Sequence, residues 1–524
     1  MYDAVFIGSG HNSLAAAVLL AKAGWKVGVF EQADEVGGAI RTAEWTLPGF
    51  RHDAFSATHV LIFLSPFYRK MRRELERHGL KYRHFPVQMA SIFPDGDAVS
   101  MHRDLEGTLE SLGRQSREDA AGWKKLYEGY RAAREVFSTL FSSPLPSLRT
   151  MGALLGPRLR LGPRGTMEFA QDFLLPIRVF ADRHFSTEKG KAWFAPWGLH
   201  LPHSPETAGG GAFAWLVLGV GQDPEGGMAM PEGGGGSLTR AMASLLESLG
   251  GEVRTGVRVE KVVVRRNTAQ GVRLADGTEV RAGKAVVACT TPTQLFLDLV
   301  DEKLLPPEFV GRVRRYRYGV PVMKIDYALD RPPAWISGEE TARAGLIHLA
   351  RDIDQMSLAF NQALRGLLPE EPLVILTQPT VVDHTRAPKG RHIVWVVARV
   401  PHRVRGDAAG EIEPGEWRDI KERYADRLTD IVERYAPGFK ASVLARKVLS
   451  PVDLEELDPN LVKGDAGAGA VELDQLYVFR PLPGWSRYAT PVKGLWMTGA
   501  ATHPGPGITA MSGSAVADVL LSAT

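Results

Sequence analysis

Two glycines one residue apart, Gly8 and Gly10, follow the apolar run Ala4-Val5-Phe6-Ile7 and precede the small, apolar stretch 14–23. That order predicts a buried strand, a tight turn and a helix. A turn free of Cβ atoms lets backbone N–H groups approach a pyrophosphate, and the helix N-terminus adds its dipole. Val27–Phe30 predicts a second strand ending at Glu31, about 20 residues past the turn, where a carboxylate accepts from ribose hydroxyls. Gln32 follows it and is counted in the same site. The sixth position of the G-x-G-x-x-G pattern holds Ser13, whose small side chain widens the helix–strand approach only slightly. The chemistry read from these residues is dinucleotide binding, against the competing reading of a buried βαβ unit without ligand.

Further along, "QADEVGGAIRT" brings a second glycine pair, Gly37-Gly38, and then Arg41. The glycines give backbone access and Arg41 can pair with a pyrophosphate; a surface salt bridge is the alternative. Near the C-terminus "GLWMTGAATHPGPGITAMSG" reads as a strand at 495–498, a turn at Gly499 and a helix from Ile508 onward. Gly505, Pro506 and Gly507 keep that helix entrance close to a ligand, and its dipole would stabilise negative charge on a reduced ring. The four glycines 233–236 lack a following Lys, so a loop entering a helix is preferred to a phosphate loop.

Composition bounds the rest. The chain has 524 residues, 44% hydrophobic and 23% charged, with a formal charge of +3. That is ordinary for a soluble multidomain protein and gives no argument for nucleic acid. Cys289 is the single cysteine. An internal disulfide, a C-x-x-C pair and a thiolate-rich metal site are therefore excluded, and redox chemistry must reside in a bound cofactor. One free thiol fits a reducing compartment. The first strand begins near Tyr2, so no signal peptide is expected, and no long uncharged apolar run predicts a membrane span. The expected location is cytoplasmic.

The elements alternate in five pieces. Residues 1–84, 231–304 and 481–524 are read as one nucleotide-binding domain. Its middle piece carries a helix, hairpin turns at Asn267 and Asp276-Gly277, and a buried strand at 285–288. Residues 85–230, mainly helical and clearest at 105–140, and 305–480, mixed sheet and helix, are read as an inserted substrate domain. The latter has strands at 320–329, 373–377 and 392–400 and a helix at Trp417–Tyr435. No second strand–G-x-G-x-x-G–helix occurs, so a dedicated nicotinamide domain is not expected.

The glycine pair after the acid looks like the extended FAD signature of glutathione-reductase-like flavoproteins. "GSGHNSLAAAVLLAKAGWKVGVFEQADEVGGA", "MPEGGGGSLTRAMASLLESLGGEVRTGVRVEKVVV" and "LDQLYVFRPLPGWSRYATPVKGLWMTGAATHPGPGITAMSG" together resemble the phytoene-desaturase-related FAD oxidoreductases. The branch is that of carotenoid ketolases and pyridine nucleotide-disulfide oxidoreductase domain proteins. The resemblance implies an α/β fold in which a glutathione-reductase-type FAD-binding Rossmann domain carries an inserted α+β substrate domain. It implies non-covalent FAD and oxidation, desaturation or isomerisation of hydrophobic substrates. Carried over residue by residue, Gly8, Gly10, Glu31, Gly38, Arg41, Val259, Gly499 and Ile508 fall on nucleotide or flavin contacts. Pro506 interrupts the usual glycine run beside Gly507, and Ser13 replaces the third glycine.

On this reading a flavin takes a hydride from a C–H bond of an apolar, carotenoid- or isoprenoid-like small molecule, with oxygen, a quinone or a soluble carrier as acceptor. His503, ahead of the last helix, is the candidate catalytic residue; a structural role in the Pro-Gly loop competes. His52, Asp53 and His59 are read as tunnel lining or, preferably, core groups. His200 and His203, three apart without carboxylates nearby, do not predict a metal. The basic stretches "RKMRRELERHGLKYRHF" and "LLGPRLRLGPRG" are read as solvated helix faces in preference to peripheral membrane contacts. Non-redox isomerisation or hydration, and a flavin-stabilised partner-binding role, are the alternative functions.

Overall fold

The computed structural model describes residues 1–523, without the side chains of residues 154–161 and 163. Two seven-stranded sheets organise it. In the first, five parallel strands run in the order Leu495–Met497, Glu279–Ala288, Tyr2–Ile7, Val27–Phe30, Glu252–Arg254. The hairpin Val259–Arg265/Thr268–Leu274 continues it antiparallel from Glu279–Ala288. Three distant pieces of chain thus share one sheet.

At the centre of this sheet Ala4–Ile7, Val27–Phe30 and Ala285–Ala288 are apolar because both faces are covered. Helices His11–Lys22, Gly236–Ser248 and Met511–Ser522 bury Leu14, Val18, Met242 and Val516 against Phe6, Val29 and Val287. On the other face Val5, Ile7, Val286 and Leu495 meet Phe296 and Phe309. The helices His11–Lys22 and Met511–Ser522 pack so closely that Gly513 is forced: a Cβ there would lie 2.0 Å from the Asn12 carbonyl. Asn12 Oδ1 in turn accepts from the Gly513 N–H at 3.2 Å.

The second sheet is ordered Val443–Leu449, Val322–Leu329, His392–Arg399, Val374–Thr377, Ala344–Leu349, Val87–Ile92, Ala98–His102. Only the Ala344–Leu349/Val87–Ile92 pair is parallel. Period-2 alternation divides its faces. Met323, Ile325 and Tyr327 pack under helix Trp417–Tyr435, and the row Lys324, Val397, Ile375, His348, Ser91 lies on the opposite face. A helical layer covers that second face at a distance, filled by Trp123, Tyr130, Phe137, Phe180 and Trp215.

Departures from the sequence reading have local causes. The stretch 105–140 is two helices, Leu105–Gln115 and Arg117–Ser142, because Ser116 turns extended and its Oγ caps the second through Glu118 and Asp119 N–H groups. Residues 85–230 also open with two strands before the helices. The last helix starts at Met511, three residues later than expected; Ala510 adopts φ 58° and Thr509 Oγ1 takes the Met511 N–H. Among the described residues no helix is long and apolar enough to cross a membrane. Helix Pro66–Arg77, which carries the first basic stretch, spends its apolar residues Phe67, Tyr68, Met71 and Leu75 on the core. The second stretch, "LLGPRLRLGPRG", lies largely outside the described side chains.

Gly513→Ala is expected to separate the two site-bearing helices at a cost of about 1–3 kcal/mol. Chemical denaturation would show it, together with weaker flavin retention. An unchanged midpoint would mean that the helices are not held at backbone contact.

Candidate functional site

A cavity of about 590 Å³ runs from the glycine turn of the first sheet to the free face of the second. Its near end is built from the βαβ unit. Glu31 leaves the end of its strand buried, with Oε2 accepting from the Ser9 N–H and Oγ at 2.8 Å each and Oε1 accepting from the Ala33 N–H at 3.0 Å. A carboxylate has about four lone-pair directions, so one remains to accept from a ribose hydroxyl. Gly10 caps helix His11–Lys22 without a side chain, and the first turn holds no acidic residue, so the helix N-terminus opens onto the cavity. Arg41 gives Nη2 to the Leu457 carbonyl, while its Nε is buried and unpartnered. An open helix N-terminus and an unspent guanidinium N–H as donors, with a ribose-ready carboxylate as acceptor, form a set that fits FAD.

The wall takes in Gly8, Gly10, Glu31 and Gln32 from the first segment and Gly38 and Arg41 after it. It also takes in Val259 from the middle piece and Gly499, Pro506, Gly507 and Ile508 from the last. Ser13 is the exception. It lies fully buried beneath the turn against the Cys289 thiol and does not reach the cavity. Cys289 itself sits on the wall, and burial pushes its thiol up to about 12, so it is neutral.

His503 must also be reassigned. It is fully buried off the cavity wall, its Nε2 donates to the Leu140 carbonyl at 2.9 Å, and its own carbonyl accepts from Tyr488 OH. Its role here is to hold the Pro-Gly loop against the long helix. His52 and Asp53 are core groups: His52 bonds Thr46 Oγ1, and Asp53 accepts from Thr42, the Gly235 N–H and Arg386. Asp53 and Asp383, which accepts from the Gly233 N–H, thereby occupy glycine-loop donors that a phosphate would need. His203 is tied to the Val471 carbonyl. His59 does line the cavity, with Nδ1 on Tyr82 OH at 2.9 Å. Among the described residues no cluster of His, Cys, Asp and Glu could hold a metal ion.

Residues that sequence reading missed come from loops. Asp458 and Asn460 line the turn side; Asn460 bonds the Cys289 carbonyl and the Thr291 N–H. Burial and nearby Glu31 raise Asp458. The turn-prone "LDPN" was the available signal. His11 was likewise overlooked: it bonds the Gly507 backbone and lines the wall, and burial lowers it to about 4.

The far end is a different environment. Trp197, Phe213, Leu346, Ile375, Trp395 and Val397 make an apolar chamber, with Arg399 at its edge. Arg399 spends its guanidinium on the Leu199, His200 and Val320 carbonyls, and burial lowers it to about 10. A smaller cavity shares Leu61, Leu201, Phe213 and Pro506 with the chamber and continues along Phe137, Phe173 and Tyr477.

Removing the Arg41 charge in Arg41→Met is expected to weaken flavin binding at least about 10-fold in a fluorescence titration. His503→Gln, in contrast, should lower thermal stability and leave that affinity nearly unchanged. The reverse pattern would restore His503 to the site. Burial also holds His11, His59, His203 and His503 neutral, at about 4, 3, 4 and 4 against an ordinary 6.5. The unfolded chain takes up these protons as pH falls through about 6.5 while the folded chain does not, so stability is full above that value and lost toward about pH 4. The unfolding free energy from urea titrations should fall across this window, by up to about 1.4 kcal/mol per pH unit for each ring. A flat profile would contradict neutral burial.

Residues 14–362 match the profile of the family described as flavin containing amine oxidoreductase. "Pyridine nucleotide-disulfide oxidoreductase domain-containing protein 2" of Mus musculus is 34% identical, covering 99% of this chain and 93% of that protein. "Phytoene desaturase (lycopene-forming)" of Pseudescherichia vulneris is 27% identical, covering 99% of each. Among solved structures, cyclohexylamine oxidase from Brevibacterium oxydans shares the fold with a TM-score of 0.59 at 14% identity, covering 100% of this chain and 99% of that one. With the dinucleotide trough already in place, these likenesses make the chain an FAD-dependent oxidoreductase belonging to the flavin containing amine oxidoreductase family.

Proposed function

We propose that this enzyme dehydrogenates or desaturates a largely apolar, isoprenoid-like substrate, held in the chamber between the two sheets. Its first sheet would act as a glutathione-reductase-type FAD domain, and the intervening segments as the substrate domain. The observation that carries the reading is the continuity of one cavity from the glycine turn to an apolar sheet face. The similarity to a phytoene desaturase, named for an isoprenoid, supports the same class.

Bound FAD supplies a two-electron acceptor for a hydride leaving a substrate C–H bond. The chain's own residues bind, orient and exclude water. Leu346, Ile375 and Val397 present the apolar floor, Trp197 and Phe213 press from the helical side, and the side cavity at Phe137 and Phe173 gives an elongated substrate room to continue. The acidic wall residues Glu31, Asp298 and Asp458 belong to chain segments at the nucleotide end, and the chamber-floor strands offer the cavity none. An ammonium ion would enter without a counter-charge, which disfavours amines. His59, lowered to about 3 by burial, cannot store a proton near neutrality; its ring can only pass one on or hold a hydrogen bond. Reoxidation falls to oxygen, a quinone or another soluble carrier.

Anaerobic mixing of the flavin-loaded protein with amines, long-chain alcohols and polyenes tests the reading. Loss of the oxidised-flavin band with an apolar alcohol or polyene, and a product two hydrogens lighter by mass, is expected. Reduction by amines alone would overturn it, as would turnover of a pre-reduced enzyme without net electron transfer. Ile375→Asp, which places a carboxylate in the floor, should raise KM for the apolar substrate about 10-fold or more.

A further inference from the structure

The chamber contains one side chain whose hydrogen-bonding role is fixed by its neighbours. His200 lines the cavity from the helical side, and its ring lies parallel to Trp197, with centroids 4.5 Å apart and planes 10° apart. Arg399 clamps its backbone by donating to the His200 carbonyl at 2.8 Å. Its Nε2 stands 2.9 Å from Nε2 of His348, which rises from the sheet floor beside Ile375. Residues 148 positions apart in sequence thus meet in one imidazole pair.

The pair has a definite proton arrangement. Two ring nitrogens at this distance bond only if one donates and the other accepts. His348 Nδ1 is buried and has no partner. A proton on that atom would leave a buried N–H unpaired, a rarer and costlier defect than a bare lone pair. His348 therefore carries its proton on Nε2 and donates it to His200 Nε2. Burial keeps both rings neutral, so the remaining proton of His200 sits on Nδ1. That nitrogen has no partner in the protein and is not sealed in the interior. With Nε2 taken by His348, Nδ1 is the nitrogen His200 has left to offer the cavity it lines.

We propose that His200 Nδ1–H is the polar anchor of the chamber, a fixed donor for one neutral oxygen (carbonyl or hydroxyl) on an otherwise apolar substrate. The inference rests on the substrate reading above and deepens it. A pure hydrocarbon leaves this donor unpaired, and an ammonium group has nothing there to receive its protons. His200 acts as an orienting group and not as a base, because its accepting nitrogen is already occupied.

The test uses the holoprotein with 15N-labelled histidine and a matched pair of probes, 2-undecanone and 2-methyl-1-undecene. Long-range proton–nitrogen correlation spectra should show His200 as the Nδ1–H form and His348 as the Nε2–H form. Signals are assigned by their loss in His200→Phe, or through contacts to the Trp197 ring if that variant does not fold. Perturbation of the flavin spectrum should show the ketone binding about 5- to 10-fold more tightly than the alkene, with the preference lost in His200→Phe. An Nε2–H His200, or a ketone preference that survives the substitution, would overturn the proposal. The tautomer spectra stand apart from the identity of the true substrate, so an amine-specific enzyme with this imidazole arrangement would sink only the earlier reading.

Discussion

The architecture depends on three distant segments meeting where side chains do not fit. The glycine turn, Cys289 and the segment around Gly499 approach so closely that a Cβ on Gly10 or Gly499 would lie 3.3 or 3.1 Å from the Cys289 sulfur. Gly513 seats the last helix on the Asn12 carbonyl of the first. Parallel strands explain how this is reached: Ile7, Ala288 and Met497 end adjacent strands at the same level, so the segments that follow them converge at one edge. Ligands bind at such carboxyl edges because backbone donors are concentrated there. Backbone proximity, more than any single side chain, makes the trough.

Charge is distributed to match. At the nucleotide end the protein presents an open helix terminus, Arg41 and Glu31. At the chamber end burial holds His200 and His348 neutral, and Arg399 is turned onto carbonyl oxygens. The buried Asp53–Arg386 pair, with Arg386 Nε on the Arg51 carbonyl, ties residues 51–53 to the segment that precedes strand His392–Arg399, and the Lys324–Asp326 pair lies within strand Val322–Leu329 beside His52. Replacing either pair would test structural specificity; their net stabilisation is small once desolvation is counted. A largely apolar chamber, its one arginine turned onto carbonyls, thus adjoins a charged trough.

Much of the trough was legible in the sequence because its signals are local. Ala4–Ile7, the Gly8/Gly10 turn and Val27–Phe30 with Glu31 declare a strand, a turn and a second strand within a short window, and the structure follows them closely. Trp417–Tyr435 was equally plain from its helical period. What was not legible depends on long-range packing. Nothing near His503 tells that the Leu140 carbonyl will accept its hydrogen bond, and nothing near His200 points to His348. The break at Ser116 was missed because helical periodicity continues across it and the capping serine is a single residue. Ser13 was assigned to the ligand by its place in a pattern, although that position packs helix on strand and so faces away from the cavity.

Hydrogen–deuterium exchange of the protein with and without FAD tests the convergence most directly. The account expects simultaneous protection of three segments, residues 8–13, 289–294 and 499–510, on loading with one equivalent. Protection confined to the first segment, with the other two exchanging as before, would contradict it.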